Sequence, residues 1–106
     1  MAQTQKFQGT ARRIYTKPDP TNHHAAMLCY RYHNTDVVTL SQSPTANNIQ
    51  KITLNTGGYR TNTTKLAINQ ALNELNVRSD LRVYQKNKEW FLGDLPFHDG
   101  MTITKD

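Results

Sequence analysis

The residues best suited to bind a ligand lie together at positions 55–65, where the sequence reads NTGGYRTNTTK. Two adjacent glycines permit a left-handed or closely approached backbone, and threonine hydroxyls can donate hydrogen bonds. Two cations fall where a helix is predicted to begin, and free N–H groups at a helix start also attract anions. We therefore predict an anion-binding cradle that engages phosphate groups of nucleic acid. Its candidate residues are Gly57, Gly58, Tyr59, Arg60, Thr61, Thr63, Thr64 and Lys65.

Each part of this cradle has an expected role. Arg60 and Lys65 supply charge, the glycines allow close backbone approach, and Tyr59 can stack on a base. The sequence matches neither the Walker pattern nor the dinucleotide fingerprint. The structural alternative is that the glycine pair forms a tight turn and that Thr61 or Asn62 merely caps the helix.

The charge distribution favours an anionic partner. The chain has 106 residues and a net charge of +5. Between Asp36 and Glu74 there is no carboxylate, although Lys51 and two further cations fall in that span. A positive field around the cradle would concentrate phosphate-bearing partners. Ordinary solvated surface charge is the alternative explanation.

Catalytic and metal chemistry have little support in the sequence. Cys29 lies in an apolar run, where a free cysteine usually behaves as a small hydrophobic residue. Carboxylate pairs suited to acid–base catalysis are missing, and the histidines lack the spacing of metal ligands. We therefore expect a protein that is not an enzyme and has neither a metal site nor a cofactor. The histidines are His23, His24, His33 and His98.

The hydrophobic patterns predict an α+β fold. Apolar residues at positions 68, 71, 72 and 75 mark an amphipathic helix at about residues 63–76. Strand patterns occur at 7–15, 27–32, 37–40, 51–55, 81–86 and 89–92, with a last short edge pair near 97–103. We predict a mostly antiparallel sheet of about five to seven short strands with this single helix on one face.

The sheet face opposite the helix is predicted to be open. If the strand registers are as expected, it carries Lys51, Arg82, Tyr84 and Lys86 as a secondary basic and aromatic face. Such a face suits base stacking and phosphate contact. The alternative is that these residues only form stabilising cross-strand pairs.

The length predicts a single domain over residues 1–106, with a loose N-terminal end at 1–6. A lone cysteine fits a reducing cytoplasm, and no apolar stretch is long enough to span a bilayer, so we expect no membrane contact.

The chain resembles a group of small uncharacterised proteins of tailed bacteriophages. The likeness lies above all in residues 52–65, which contain the core motif TLNTGGYRTNTTK. It extends to residues 32–38, 68–70, 83–86, 90 and 97–103. The resemblance implies a phage origin and the host cytoplasm, and it implies no activity. Residues 42–50 look like a longer loop than the group pattern has.

Two other functions stay open. The exposed sheet could bind and inhibit a host or defence enzyme through aromatic and arginine anchors. An oligomer could instead sequester a small nucleotide in the cradle. The sequence does not predict the oligomeric state.

Overall fold

The computed structural model describes residues 6–20, 22–42 and 50–105, which form one helix and eight strands. The α+β prediction is confirmed. In chain order the elements are β1 (Arg12–Asp19), β2 (Asn22–Tyr32), β3 (Thr35–Gln42), β4 (Gln50–Leu54), α1 (Asn62–Glu74), β5 (Val83–Lys86), β6 (Glu89–Leu92), β7 (Leu95–Pro96) and β8 (Thr102–Lys105).

The strands form two antiparallel sheets instead of the one sheet expected. A five-stranded sheet has the order β1-β2-β3-β4-β8, and a three-stranded sheet has the order β5-β6-β7. The division arises because β8 returns to β4, where Ile103 pairs with Ile52. The turn before β8 is fixed on β4, since the Gly100 N–H donates to the Leu54 carbonyl at 2.8 Å. The expected last edge pair near 97–103 is therefore wrong.

The helix begins and ends close to where the sequence predicts. Thr61 is the N-cap, and its hydroxyl accepts a hydrogen bond from the Thr64 N–H, which satisfies one of the unpaired amides of the first turn. Asn76 has a φ of 59° just after the C-cap, as is common where helices end. The apolar stripe is fully buried against the five-stranded sheet at Ile68 and Leu72.

A β-bulge in β3 changes which side chains face the helix. Tyr30 pairs with Val38, but Arg31 pairs with Asp36, so Val37 is the extra residue. Val37 and Val38 are both buried, although neighbouring residues of a regular strand point to opposite faces. Such a bulge bends its strand and increases the local twist.

The first strand was expected at residues 7–15 but begins at Arg12. It continues through Pro18, which lies opposite Ala26. Phe7 precedes it and packs edge-on against Tyr30 at 5.2 Å between ring centroids. Burial, followed by a hydrogen bond with Glu74, raises the pKa of Tyr30.

The side chain of Asn69 joins the helix to the smaller sheet. Its Nδ2 donates to the Val83 carbonyl at 2.9 Å, and its Oδ1 accepts from the Val83 N–H at 2.8 Å. Trp90 and Leu92 of that sheet enter the same core cluster as Ile68. The helix and both sheets thus share one buried core.

Parts of two expectations fall outside the described residues. Positions 1–5 of the expected loose end do so, as do positions 43–49 of the expected long loop. Within the described ranges, no helix is long and apolar enough to cross a membrane.

Candidate functional site

The glycine pair forms a tight turn that packs against β3. The Tyr59 N–H donates to the Thr56 carbonyl at 3.1 Å, and the φ angles of Gly57 and Gly58 are 65° and 88°, as in a type I′ turn. A Cβ at Gly57 would lie 2.3 Å from the Thr35 Oγ1, whereas one at Gly58 would meet nothing within 4 Å. The close approach at Gly57 is therefore to a side chain of the protein.

The glycine amides are occupied within the protein. The Gly57 N–H donates to the Asn55 Oδ1 at 2.8 Å, and the Gly58 N–H donates to the Thr56 Oγ1 at 3.2 Å. Thr56 itself donates from both its N–H and its hydroxyl to the Asp99 Oδ1, at 2.8 and 2.7 Å. Asp99 thus brings a carboxylate beside the cradle, and this offsets the positive field expected from the carboxylate-free stretch of sequence.

An open groove of about 450 Å³ lies between the start of α1, the glycine turn and the hairpin that joins β2 to β3. We call it the hydroxyl groove, because five of its lining residues are threonines. Its lining residues are Tyr32, His33, Asn34, Thr35, Val37, Thr56, Tyr59, Thr61, Thr63 and Thr64.

Hydrogen-bond donors remain available where the helix meets the groove. The Thr64 N–H donates to the Thr61 hydroxyl and the Lys65 N–H donates to the Thr61 carbonyl. Within the described ranges, the N–H groups of Asn62 and Thr63 have no protein partner. The Thr63 hydroxyl lies 3.1 Å from that of Thr61. These donors and the helix dipole favour an anion at this position.

Two aromatic walls flank these donors. Tyr59 is 70% exposed, so its ring is free to stack on a planar group. On the hairpin side, the rings of Tyr32 and His33 lie 4.4 Å apart, and the Arg12 guanidinium carbon lies 4.9 Å from the Tyr32 ring centroid.

The two predicted cations do not line the groove. The Arg60 guanidinium carbon lies 5.7 Å from the ring centroid of Trp90 and 5.4 Å from that of Phe97. The Lys65 Nζ lies 5.4 Å from the Trp90 centroid and donates to the Gln85 Oε1 at 3.3 Å. Cation–π contact thus gives both cations a structural role. Of the predicted site residues, the structure brings together Tyr59, Thr61, Thr63 and Thr64, with Gly57 and Gly58 in the adjoining turn.

The predicted secondary face is wrong as a single surface. Lys51 lies on the five-stranded sheet, whereas Tyr84 and Lys86 lie on the three-stranded sheet. Arg82 precedes β5 and is half-buried, and its Nε donates to the Asn73 Oδ1 at 3.0 Å. Burial lowers the pKa of the Arg82 guanidinium. The separation follows from the division of the strands into two sheets.

Sequence reasoning missed the residues that the β2–β3 hairpin contributes to the groove. The relevant signal was strand order, because antiparallel neighbours place the start of β3 beside the end of β4. Val38 pairs with Leu54, and the Asn55 N–H donates to the Val37 carbonyl at 3.0 Å. This register brings Thr35 against the glycine turn.

Other reactive side chains give no competing site among the residues described. No cluster of three or more His, Cys, Asp or Glu residues could hold a metal ion there; the side chains of His23 and His24 lie outside the described part. Cys29 is fully buried, and that burial raises the pKa of its thiol. This environment disfavours the reactive thiolate.

Comparison with known protein families gives a match that covers nearly the whole chain. The model of a family described as Kyanoviridae Gp96 protein matches residues 2–104. No curated protein and no solved structure matches the chain.

Proposed function

The chain belongs to the Kyanoviridae Gp96 protein family, and we propose that it is a small non-enzymatic phage protein that binds phosphate groups of nucleic acid in the host cytoplasm. The family match supports the phage origin expected from the resemblance. The observation that carries the proposed activity is the open start of α1. Two N–H groups that have no partner in the described part of the chain adjoin exposed hydroxyls in the hydroxyl groove there.

The groove suits a phosphate that is joined to a base. The N–H groups of Asn62 and Thr63 and the Thr63 hydroxyl donate to the phosphate oxygens. The helix macrodipole supplies the equivalent of roughly half a positive charge there, so that binding does not need a cation in direct contact. Tyr59 supplies an exposed ring for base stacking. Arg60 and Lys65 add long-range attraction from beside the groove.

A charge placed at the helix start tests this function. Thr63 is exposed in the first turn of α1, where a carboxylate stabilises a helix by about 0.3–1 kcal/mol. Thr63→Glu should therefore preserve or raise the melting temperature while repelling phosphate. We expect it to weaken binding of a fluorescent single-stranded oligonucleotide at least tenfold by anisotropy.

The matched control is Ser79→Glu, which makes the same charge change in an exposed turn beyond α1. It should bind within about twofold of the wild type, because added charge far from a phosphate is screened by salt. If both variants bind the oligonucleotide equally well, the groove does not bind phosphate.

A second candidate function is protein binding, which the three-stranded sheet favours. On its face away from the core, the rings of Tyr84 and Phe91 stack with centroids 5.5 Å apart, and Pro96 lies opposite Phe91. Such an exposed apolar row suits a protein partner. Capture from host lysate after nuclease treatment, lost on Tyr84→Ala, would support this function. Nucleotide that co-purifies with the protein, detected by mass spectrometry, would instead indicate nucleotide sequestration.

A further inference from the structure

The face of the five-stranded sheet turned away from α1 carries a regular set of basic side chains. We call it the outer face. Cross-strand pairing places its side chains in rows that contain four cations and one carboxylate, a net of +3. The rows are Arg13–Arg31–Asp36, Tyr15–Cys29–Thr39–Thr53–Thr102, Lys17–Met27 and Ser41–Lys51–Thr104.

Asp36, the carboxylate in these rows, pairs with two of the cations and is itself covered. Asp36 accepts hydrogen bonds from the Tyr15 hydroxyl at 2.7 Å and from the Lys17 Nζ at 3.0 Å, and Arg31 lies 3.9 Å away. The Asp36 side chain is 18% exposed, against 43% for Lys17 and 36% for Arg31. An approaching partner therefore meets the cations first.

The pKa of Asp36 reflects the same arrangement. Burial acts to raise the pKa of its carboxyl, but hydrogen bonds from Tyr15 and Lys17 outweigh burial and hold the pKa below its ordinary value. The carboxylate is thus charged at neutral pH. Arg13 does not join this network, and its guanidinium carbon lies 5.3 Å from the Tyr15 ring centroid.

The chemistry of the outer face fits a nucleic acid better than a protein. The exposed large apolar residues of the described chain all lie outside these rows, and they are Ile14, Tyr59, Leu66, Tyr84 and Leu95. The buried centres of protein interfaces are apolar and poor in charge. Interfaces with nucleic acid are polar and strongly positive. Here three cations lie on β1 and β2, and the fourth, Lys51, lies among threonines of β4 and β8. The threonine hydroxyls also donate to phosphate oxygens.

We propose that the outer face binds the phosphodiester backbone of a nucleic acid, with Arg13, Lys17, Arg31 and Lys51 contacting phosphates. This surface goes beyond the proposed function, because it lies across the sheet from the hydroxyl groove and does not need the groove. Contacts to phosphate alone carry no sequence information. The outer face therefore supplies binding that is independent of sequence and dependent on salt.

Charge reversal at two exposed cations tests the surface. Arg13 and Lys51 make no ion pair among the described residues, so R13E/K51E removes neither partner of an ion pair with Asp36. Binding of labelled single-stranded and duplex DNA is measured by anisotropy over a range of salt. Loss of two phosphate contacts should weaken binding roughly 50- to 100-fold at about 0.1 M salt and lower the log–log salt slope by about 2.

Two other variants make the result specific. K86E/K88E has the same charge change on the β5–β6 hairpin and should weaken binding by less than about threefold. Asp36→Asn removes only the carboxylate from the outer face and should tighten binding severalfold. Equal loss in the two double variants, or weaker binding by Asp36→Asn in a protein shown to be folded, would overturn the assignment.

Thr63→Glu measured in the same assay separates this inference from the proposed function. Loss of binding in R13E/K51E but not in Thr63→Glu supports the outer face and contradicts the groove. The reverse pattern contradicts the outer face and supports the groove. A wild-type protein that binds neither form of DNA overturns both.

Discussion

Replacing Gly57 by alanine should cost much more stability than the same change at Gly58. Both glycines have positive φ, where an L-residue costs roughly 1–2 kcal/mol. Only at Gly57 does the new Cβ meet an atom, the Thr35 Oγ1 at 2.3 Å. Such overpacking adds about 1–3 kcal/mol. We therefore expect losses of about 2–5 kcal/mol for Gly57→Ala and about 1–2 kcal/mol for Gly58→Ala.

A double-mutant cycle with Thr35→Ala isolates the clash. This change removes the two nearest atoms and leaves the Thr35 Cβ, which would lie 3.2 Å from the new methyl group at Gly57. The double variant Gly57→Ala/Thr35→Ala should lose about 1–2 kcal/mol less stability than the sum of the losses in the two single variants. Urea unfolding followed by the fluorescence of Trp90, the one tryptophan of the chain, measures all four proteins.

Equal urea midpoints of the two glycine variants, or no recovery of stability when Thr35→Ala is added to Gly57→Ala, would contradict the predicted clash. Either result would mean that the β2–β3 hairpin does not press on the glycine turn. The wall of the hydroxyl groove would then not be fixed by this contact.

Two further predictions concern charged side chains. Asp36→Asn should lower the free energy of unfolding at pH 7 by about 1–2 kcal/mol, because it weakens hydrogen bonds to a partly buried carboxylate. The folded-state pKa of Asp36 is depressed. The stability difference between wild type and Asp36→Asn is therefore full above about pH 4 and disappears as the pH falls through the folded pKa. Urea unfolding at neutral and acid pH measures this difference, and a difference that does not change with pH would contradict the prediction. Replacing both Arg60 and Lys65 by alanine should lower stability by about 1–2 kcal/mol through lost cation–π contacts and shift Trp90 emission, while groove binding changes only a few-fold. Unchanged stability together with lost oligonucleotide binding would place these cations on the ligand instead.

The sequence was sufficient to predict those features whose signals lie within a few neighbouring residues. The spacing of Ile68 and Leu72 together with a capping threonine at position 61 was sufficient for the helix, because both signals lie within a few residues. Alternating patterns likewise marked most strands. They did not show that β8 pairs with β4, since a period of two records which face is buried and not which strand lies beside it.

The hydroxyl groove could likewise be predicted only where its residues are neighbours in the sequence. The threonines and the glycine turn lie together in the sequence, so that their joint position was predictable. The direction of Arg60 was not, because Trp90 and Phe97, about thirty residues later, provide the ring faces that hold it. The hairpin wall required the β3–β4 register, and the adjacent valines at 37 and 38 did not reveal which one is the bulge.

The hydrogen bonds of Asn69 have a consequence for how copies of this chain meet. β5 is an edge strand, and an exposed edge invites pairing with another chain. The Asn69 amide occupies the backbone N–H and carbonyl of Val83, much as a neighbouring strand would. At the opposite edge, β7 has two residues, and Pro96 lacks an N–H. At these positions the smaller sheet resists strand-by-strand pairing with another copy, which favours association through a face.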